Sequence, residues 1–567
     1  MPPKRLTPTK RPYQSSDESS LRKKTKTSIK VQRSIWNSKR DLDQLVSDSN
    51  LSTSSISIRN PKLRELPTLV KFTINSISRG FKRLWEIDEG YSFKIAWNYL
   101  PLHLKIEIRQ MIFKWWGSFL TLKILSEVFL IPPHLYLPGE LLSSVSSADH
   151  IKQFIPPSDT RSAYTVLTLK HASKASDIGI AGIIHHLPNL ESINLKGCNL
   201  CSSRTVKTIL NKCENLRKIN LKGTKIIEKD IKALLDKFGN QLEVFKIDNV
   251  SFDNINETFS SLPFSKITHL CLPGTILNLS NQNSKYSSSL SSSTLIGYYP
   301  QPKPNNLENI IKWSNFNEIF PNLIQLNLKG LLIPENTIIN LNKGLRKLIL
   351  GSNGPPIPIE TLIKILKNQK DTINYLSIGN IKSKITNSGS SNENDFLRLG
   401  EILKECKNLE IFKFITDQNG SKDSICDSGL NKYSNLIYSF GLKDNWRKTL
   451  KTLSLCLPQT IESSIFFPSF NIDEMTEENI SPLEQLELPS TNIDNTKDFA
   501  VALRGFPKLR SLDLSGTTIT DDDMKIILDS CPLLSRIDLT SCRGINVRHR
   551  RNIFKALQQH EERIELY

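Results

Sequence analysis

Between Leu190 and Leu272 one spacing of apolar residues returns again and again. Leu190-x-x-Ile193-x-Leu195 is followed by Leu216-x-x-Ile219-x-Leu221, Leu242-x-x-Phe245-x-Ile247 and Ile267-x-x-Leu270-x-Leu272, at steps of 26, 26 and 25 residues. The fourth and sixth places of each pattern are apolar and alternate with polar residues, which is the period of a strand with one buried face. Between these strands, 203–213 and 228–238 carry apolar residues at helical spacing, as in Val206, Ile209 and Leu210. A unit of one strand and one helix cannot bury its own apolar face, so the pattern predicts units stacked on one another.

The spacing extends in both directions. Tyr164-x-x-Leu167-x-Leu169 lies 26 residues before Leu190, and the pattern returns at Leu323, Leu345, Ile373, Leu409, Leu450, Leu483, Leu509 and Leu534, giving thirteen candidate strands. It is identified as a leucine-rich repeat of the cysteine-containing, ribonuclease-inhibitor-like type. The implied fold class is α/β, a leucine-rich-repeat solenoid or horseshoe over 151–567. Steps of 36, 41 and 33 in the middle of the array call for insertions. Inserted loops are expected at about 278–304, 382–395 and 417–434, the first rich in serine and closing on Tyr298-Tyr299-Pro300. The end of the chain reads as a helix over 548–563 and a strand-like cap over 564–567.

Ahead of the array the pattern changes period. From 61 to 150 it predicts an all-helical module, with Leu69, Phe72, Thr73 and Ile77 on or near one helix face and a second run through Ile106, Ile108, Met111 and Ile112 to Trp115 and Trp116. The apolar stretch 115–137 is interrupted by Lys123, Glu127, Pro132, Pro133 and His134. A bilayer span needs roughly 20 mostly apolar residues, so this stretch is read as buried helices and no membrane segment is expected. Residues 1–60 are rich in Ser, Thr, Lys and Arg and read as a disordered basic tail. The start, MPPKRLTPTK, has no apolar run, and no signal peptide is expected.

Thr68-Leu69-x-x-x-Thr73-x-x-x-Ile77 resembles the elongin C-binding box of VHL-box and SOCS-box proteins, with Thr73 standing where the box carries Cys. The helix after Leu100-Pro101 takes the place of the second, cullin-contacting element of those proteins. Leu100-Pro101-x-His103-Leu104-x-x-x-Ile108-x-x-x-Ile112 also resembles the opening of an F-box, which binds the Skp1 adaptor. Either resemblance implies an elongin C-like or Skp1-like adaptor held by Leu69, Thr73, Ile77, Leu100 and Pro101, with a cullin beyond it. A plainer reading makes 61–150 a helical cap on the open end of the solenoid.

Charge adds to this picture. The chain carries 75 basic and 56 acidic side chains, a net +19, with a pI near 9.4. The tail holds 13 of the basic and 5 of the acidic residues. Within it, Lys10-Arg11 and Arg22-Lys23-Lys24-Thr25-Lys26 resemble a bipartite nuclear localisation signal, which implies the nucleus, with the cytoplasm also open. The same cations suit nucleic acid phosphates.

In the array, residues beside the buried pair must line the concave face. They are Asn194, Asn220 and Lys246 early and Glu487, Asp513 and Asp538 late, with Lys170, Lys196 and Lys222 just past the strands. That face is expected to be basic toward the start and acidic toward the end, a surface for a protein partner. The nine cysteines have no metal-binding or disulfide spacing, and no phosphate loop or nucleophile motif is present. No catalytic residue, metal or cofactor is expected. The function implied is substrate recognition for a cullin-type E3 ubiquitin ligase. The alternative is a non-ligase leucine-rich-repeat scaffold or regulator in the nucleus, associated with chromatin or DNA repair.

Overall fold

A computed structural model describes residues 68–137, 153–248, 250–252, 258–259, 264–272, 276–277, 316–329, 341, 343–350, 357–379, 381–382, 392–415, 449–456, 460–466 and 481–566. The basic clusters at 10–26, the loops expected at 278–304 and 417–434, and 383–391 lie outside them. Residues 392–395, expected to be part of an insertion, instead open the helix Asn392–Glu405.

The main sheet is an all-parallel ladder of 14 short strands in chain order. They are β1 (His134–Leu137), β2 (Val166–Leu169), β3 (Ser192–Asn194), β4 (Lys218–Asn220), β5 (Val244–Lys246), β6 (His269–Cys271) and β7 (Gln325–Asn327). The rest are β8 (Lys347–Ile349), β9 (Tyr375–Ile378), β10 (Ile411–Ile415), β11 (Thr452–Cys456), β12 (Gln485–Glu487), β13 (Ser511–Asp513) and β14 (Arg536–Asp538). Every strand expected from the spacing is a rung. Ile193 faces Ile219, and Ile219 faces Phe245. Leu195, Leu221 and Ile247 donate their N–H groups to Asn220, Lys246 and Cys271 at 2.8, 2.7 and 2.9 Å, so they sit on three consecutive rungs, all buried.

The ladder opens one rung earlier than the spacing indicates. Pro132 stands where β1 would carry its first apolar residue, and the step to Tyr164 departs from the 26-residue interval, so the repeat is hidden. Residues 134–137 therefore belong to the sheet, and the stretch 115–137 is not all helix. At the other end the helix Val547–Leu566 runs through 564–566, where a strand-like cap was expected.

After its strand, each of several repeats turns through a left-handed residue: His171, Gly197, Gly223, Ser490, Gly516 and Ser541. A Cβ on Gly223 would lie 3.2 Å from the Cα of Gly197, so stacked turns leave room for little else there. Polar braces join successive repeats. The Asp177 carboxylate accepts from Ser202 N at 2.9 Å and from the Ser202 and Thr205 hydroxyls, each at 2.6 Å. Burial pushes its pKa up, and these bonds more than offset that and bring it below the usual range. Cys198 and Cys542 are buried, and each donates its thiol at 2.9 Å to a carbonyl of the preceding repeat, Leu169 and Leu514. Burial pushes the Cys198 thiol up to about 12.

Among the described residues four helices precede the ladder: α1 (Leu69–Asp88), α2 (Tyr91–Tyr99), α3 (Leu102–Trp116) and α4 (Leu122–Val128). The Thr68 hydroxyl caps α1 by accepting from Lys71 N at 3.3 Å. Phe81 meets Phe93 edge-on at 5.0 Å, and Trp97 meets Phe129 edge-on at 5.4 Å. Trp97 donates to Val128 O and Trp116 to Ser78 O, at 3.1 and 2.8 Å, so these two indoles keep their hydrogen bonds on burial.

This module is tied to the ladder by Arg109 on α3. Its guanidinium, 2% exposed, donates to Phe129 O at 3.4 Å and to His134 O at 3.2 Å. Phe113 stacks on Tyr136 of β1 at 5.7 Å. His134 itself bonds the Thr168 hydroxyl of β2 at 2.9 Å. Burial, reinforced by Arg109 and Lys170, pushes its pKa down to about 4. The unfolded chain, with a histidine pKa near 6.5, then binds more protons than the folded one between these values. Stability is expected to be fully present above pH 6.5 and to fall as the pH drops toward 4. Burial lowers His186 and His269 as well, so denaturant titrations of His134→Gln should show a shallower pH slope, not a flat one. An unchanged slope would contradict this assignment.

Candidate partner-docking surfaces

On α1 the packed face is Ile74, Ser78 and Phe81. The opposite edge of its first turns is left in solvent: Leu69 is 80% exposed and Phe72 55%, with Val70 and Thr73 beside them. Thr73 donates its hydroxyl to Leu69 O at 2.8 Å, inside its own helix. Its donor is therefore already satisfied. Ile77 is half-buried, at the margin of the packed face. Leu100 caps the end of α2, donating to Trp97 O at 3.2 Å, and Pro101 is the exposed cap of α3. Of the five adaptor residues expected from the sequence, Leu69 and Thr73 stand free on a helix, and Leu100 and Pro101 form a turn. Phe72, which its spacing had placed on this face, was not among the expected adaptor residues, and Val70 beside it was not singled out.

On the ladder, register fixes a column of side chains between the buried pair of each rung. It runs Asn194, Asn220, Lys246, Cys271 and Asn327 on successive rungs, and later Lys413, Ser454, Glu487, Asp513 and Asp538. Its charged members are Lys246 and Lys413, then Glu487, Asp513 and Asp538. Several members have a second task, however. Asn194, Asn220, Asp513 and Asp538 accept from the backbone N of Lys196, Lys222, Ser515 and Thr540 at 3.2, 3.3, 2.9 and 2.8 Å. These are Asx turns that close the strand end, and hydrogen bonds from Thr540 hold the Asp538 carboxyl below its usual range.

Lys170, Lys196 and Lys222 do stack: His171 N donates to Lys196 O and Gly197 N to Lys222 O, both at 2.7 Å. Lys170 and Lys196 are exposed and Lys222 half-buried. Further along, a cleft of about 450 Å³ is lined by His269, Gln325, Lys347, Tyr375 and Glu410 among others. The Lys347 ammonium lies 4.0 Å from the centre of the Tyr375 ring. Burial lowers its pKa, and Lys246, Lys222 and Lys413 lower it further. Burial likewise lowers that of His269, followed by Lys246 and Lys218. Lys413 reaches across Ser454 to Glu487 at 2.9 Å. Lys347 and His269 occupy the earlier outward-facing position of each strand, which the column count passed over; Lys413 was in the column but lay among the irregular repeats.

Fourteen parallel rungs, apolar pairs turned inward and a recurring left-handed turn meet a match in sequence. Residues 474–565 fit the family model described as FBD-associated F-box protein At5g56370, LRR repeats. That segment is similar in sequence to leucine-rich repeats. Among solved structures, the chain is similar to a chain of the Rad7 and Elc1 complex in yeast, with TM-score 0.39 and 15% identity, covering 86% of this chain and 96% of that one. An internalin (inlF) from Listeria monocytogenes gives TM-score 0.31 and 15% identity over 65% of this chain and 85% of that one. A Leptospira interrogans LRR protein gives 0.26 and 14% over 71% and 93%. No protein of curated function matches the chain by sequence. Among the described residues no group of His, Cys, Asp or Glu could hold a metal ion, and no helix is long and apolar enough to cross a membrane. A repeat fold of this kind typically serves as an interaction scaffold.

Proposed function

We propose that the protein is the substrate-recognition subunit of a cullin-type ubiquitin ligase, docking an elongin C-like adaptor through α1 and selecting its substrate on the concave ladder. One observation carries the reading: the first turns of α1 expose Leu69, Val70, Phe72 and Thr73 on the edge away from its packed face, Ile74, Ser78 and Phe81. Such an edge has the form of an amphipathic helix that fills a groove on a partner. An elongin C-like groove is favoured over a Skp1-like one because Leu100 and Pro101 are engaged in the α2–α3 turn. The match of 474–565 to repeats of an F-box protein supports the receptor class.

The scaffold reading draws on a different observation, the fusion of the module to the ladder through Arg109 and β1. That fusion means deletion of 66–137 strips the first rung and tests capping, not docking. The informative experiment mixes the full chain with each purified adaptor and follows co-elution by size exclusion. Co-elution with the elongin C-like adaptor, and recruitment of a cullin to that complex, are expected. Elution apart from both adaptors would overturn the proposal.

A further inference from the structure

The sign of the concave face changes along the ladder, and the change is abrupt. Lys218 on β4 is compensated by Glu243 at 3.5 Å. Lys222, Lys246 and Lys347 form no ion pair among the described residues, although all three are half-buried. Rungs lie about 4.8 Å apart, so the fold holds these like charges near one another, an arrangement that an anionic partner relieves. Lys413 on β10 is the next cation, and it is bound to Glu487 on β12. From there the column is acidic through Asp513 and Asp538.

We propose that this face holds an extended protein segment of two charge blocks, with acidic residues over β4–β10 and basic residues over β12–β14. The proposal rests on the receptor reading and names the class of segment the receptor selects. Two features favour a protein over a nucleic acid. A polyphosphate is anionic along its whole length and would be repelled by Asp513 and Asp538, whereas a two-block peptide is matched at both ends. The Lys413–Glu487 pair neutralises the junction, where a single-signed ligand would need continuity. From β4 to β14 the path is about 48 Å, the reach of about 15 extended residues.

Fluorescence anisotropy with the full chain tests this, using three labelled probes of equal length: a Glu-block/Lys-block peptide, an all-Glu peptide and an oligothymidine. The two-block peptide is expected to bind tightest. Lys246→Glu/Lys347→Glu should weaken it by about tenfold or more, and the Gln counterparts by less. Glu487→Lys should weaken the two-block peptide and strengthen the all-Glu peptide, a reversal that the basic tail cannot imitate. These side chains are half-buried on the surface of the ladder, and circular dichroism checks that each variant is folded. Equal binding of the two peptides, or variants that bind like wild type, would overturn the proposal. Tightest binding of oligothymidine, lost with the same lysines, would assign the face to nucleic acid instead. Adaptor co-elution is read separately. A chain that binds the two-block peptide but no adaptor defeats the receptor reading alone.

Discussion

Full-length protein carrying Leu69→Asp or Phe72→Asp is expected to bind the adaptor about 100-fold more weakly than wild type, since a carboxylate would be buried without a partner in an apolar groove. The thermal midpoint should barely move. Both side chains are largely exposed in the free chain, and surface substitutions of this kind change stability by about 0.5 kcal/mol or less. The contrast is Ile74→Asp on the same helix. Ile74 is buried, so a charge there should lower the midpoint sharply, by several kcal/mol on the usual scale for an unpaired buried carboxylate. Calorimetric titration beside thermal melts separates the two effects. Leu69→Asp and Phe72→Asp binding like wild type would show that the exposed edge is not the docking surface.

The second large effect concerns the joint between module and ladder. Arg109→Ala should cost about 3 kcal/mol, combining a cavity at a buried side chain with two carbonyls that lose their donor. Those carbonyls belong to Phe129 and His134, so the loss should be local as well as global, with β1 exchanging its amide protons faster than β2. Arg109→Met keeps most of the volume and removes a buried charge whose pKa burial already lowers; its cost should be smaller. Denaturant unfolding and hydrogen exchange read both. An Arg109→Ala chain as stable as wild type, with β1 still protected, would mean that packing such as Phe113 on Tyr136 carries the joint alone.

How much of this was legible in the sequence follows from what each residue has to satisfy. The rungs were legible because each needs an apolar pair at fixed spacing, and a 26-residue step repeats that need without regard to the helix between. β1 was hidden where Pro132 replaced the first apolar residue, and the chain end was misread because Ile564 and Leu566 fit a helix as well as a short strand. For the docking edge, Leu69 and Thr73 could be named from their resemblance to a known box. The exposure of Phe72 could not, since an apolar residue at helical spacing looks the same whether it faces a core or a partner. For the column on the ladder, the spacing carried no sign that Asn194, Asn220, Asp513 and Asp538 close turns with their side-chain oxygens. Arg109 left no trace either. Its role depends on carbonyls 20 and 25 residues away.

Hydrogen exchange of the full chain with and without the elongin C-like adaptor tests the docking claim most directly. Slowed exchange confined to 69–77, with the ladder strands unchanged, is the result expected. Protection that instead falls on the concave strands, or none at 69–77 under saturating adaptor, would contradict it.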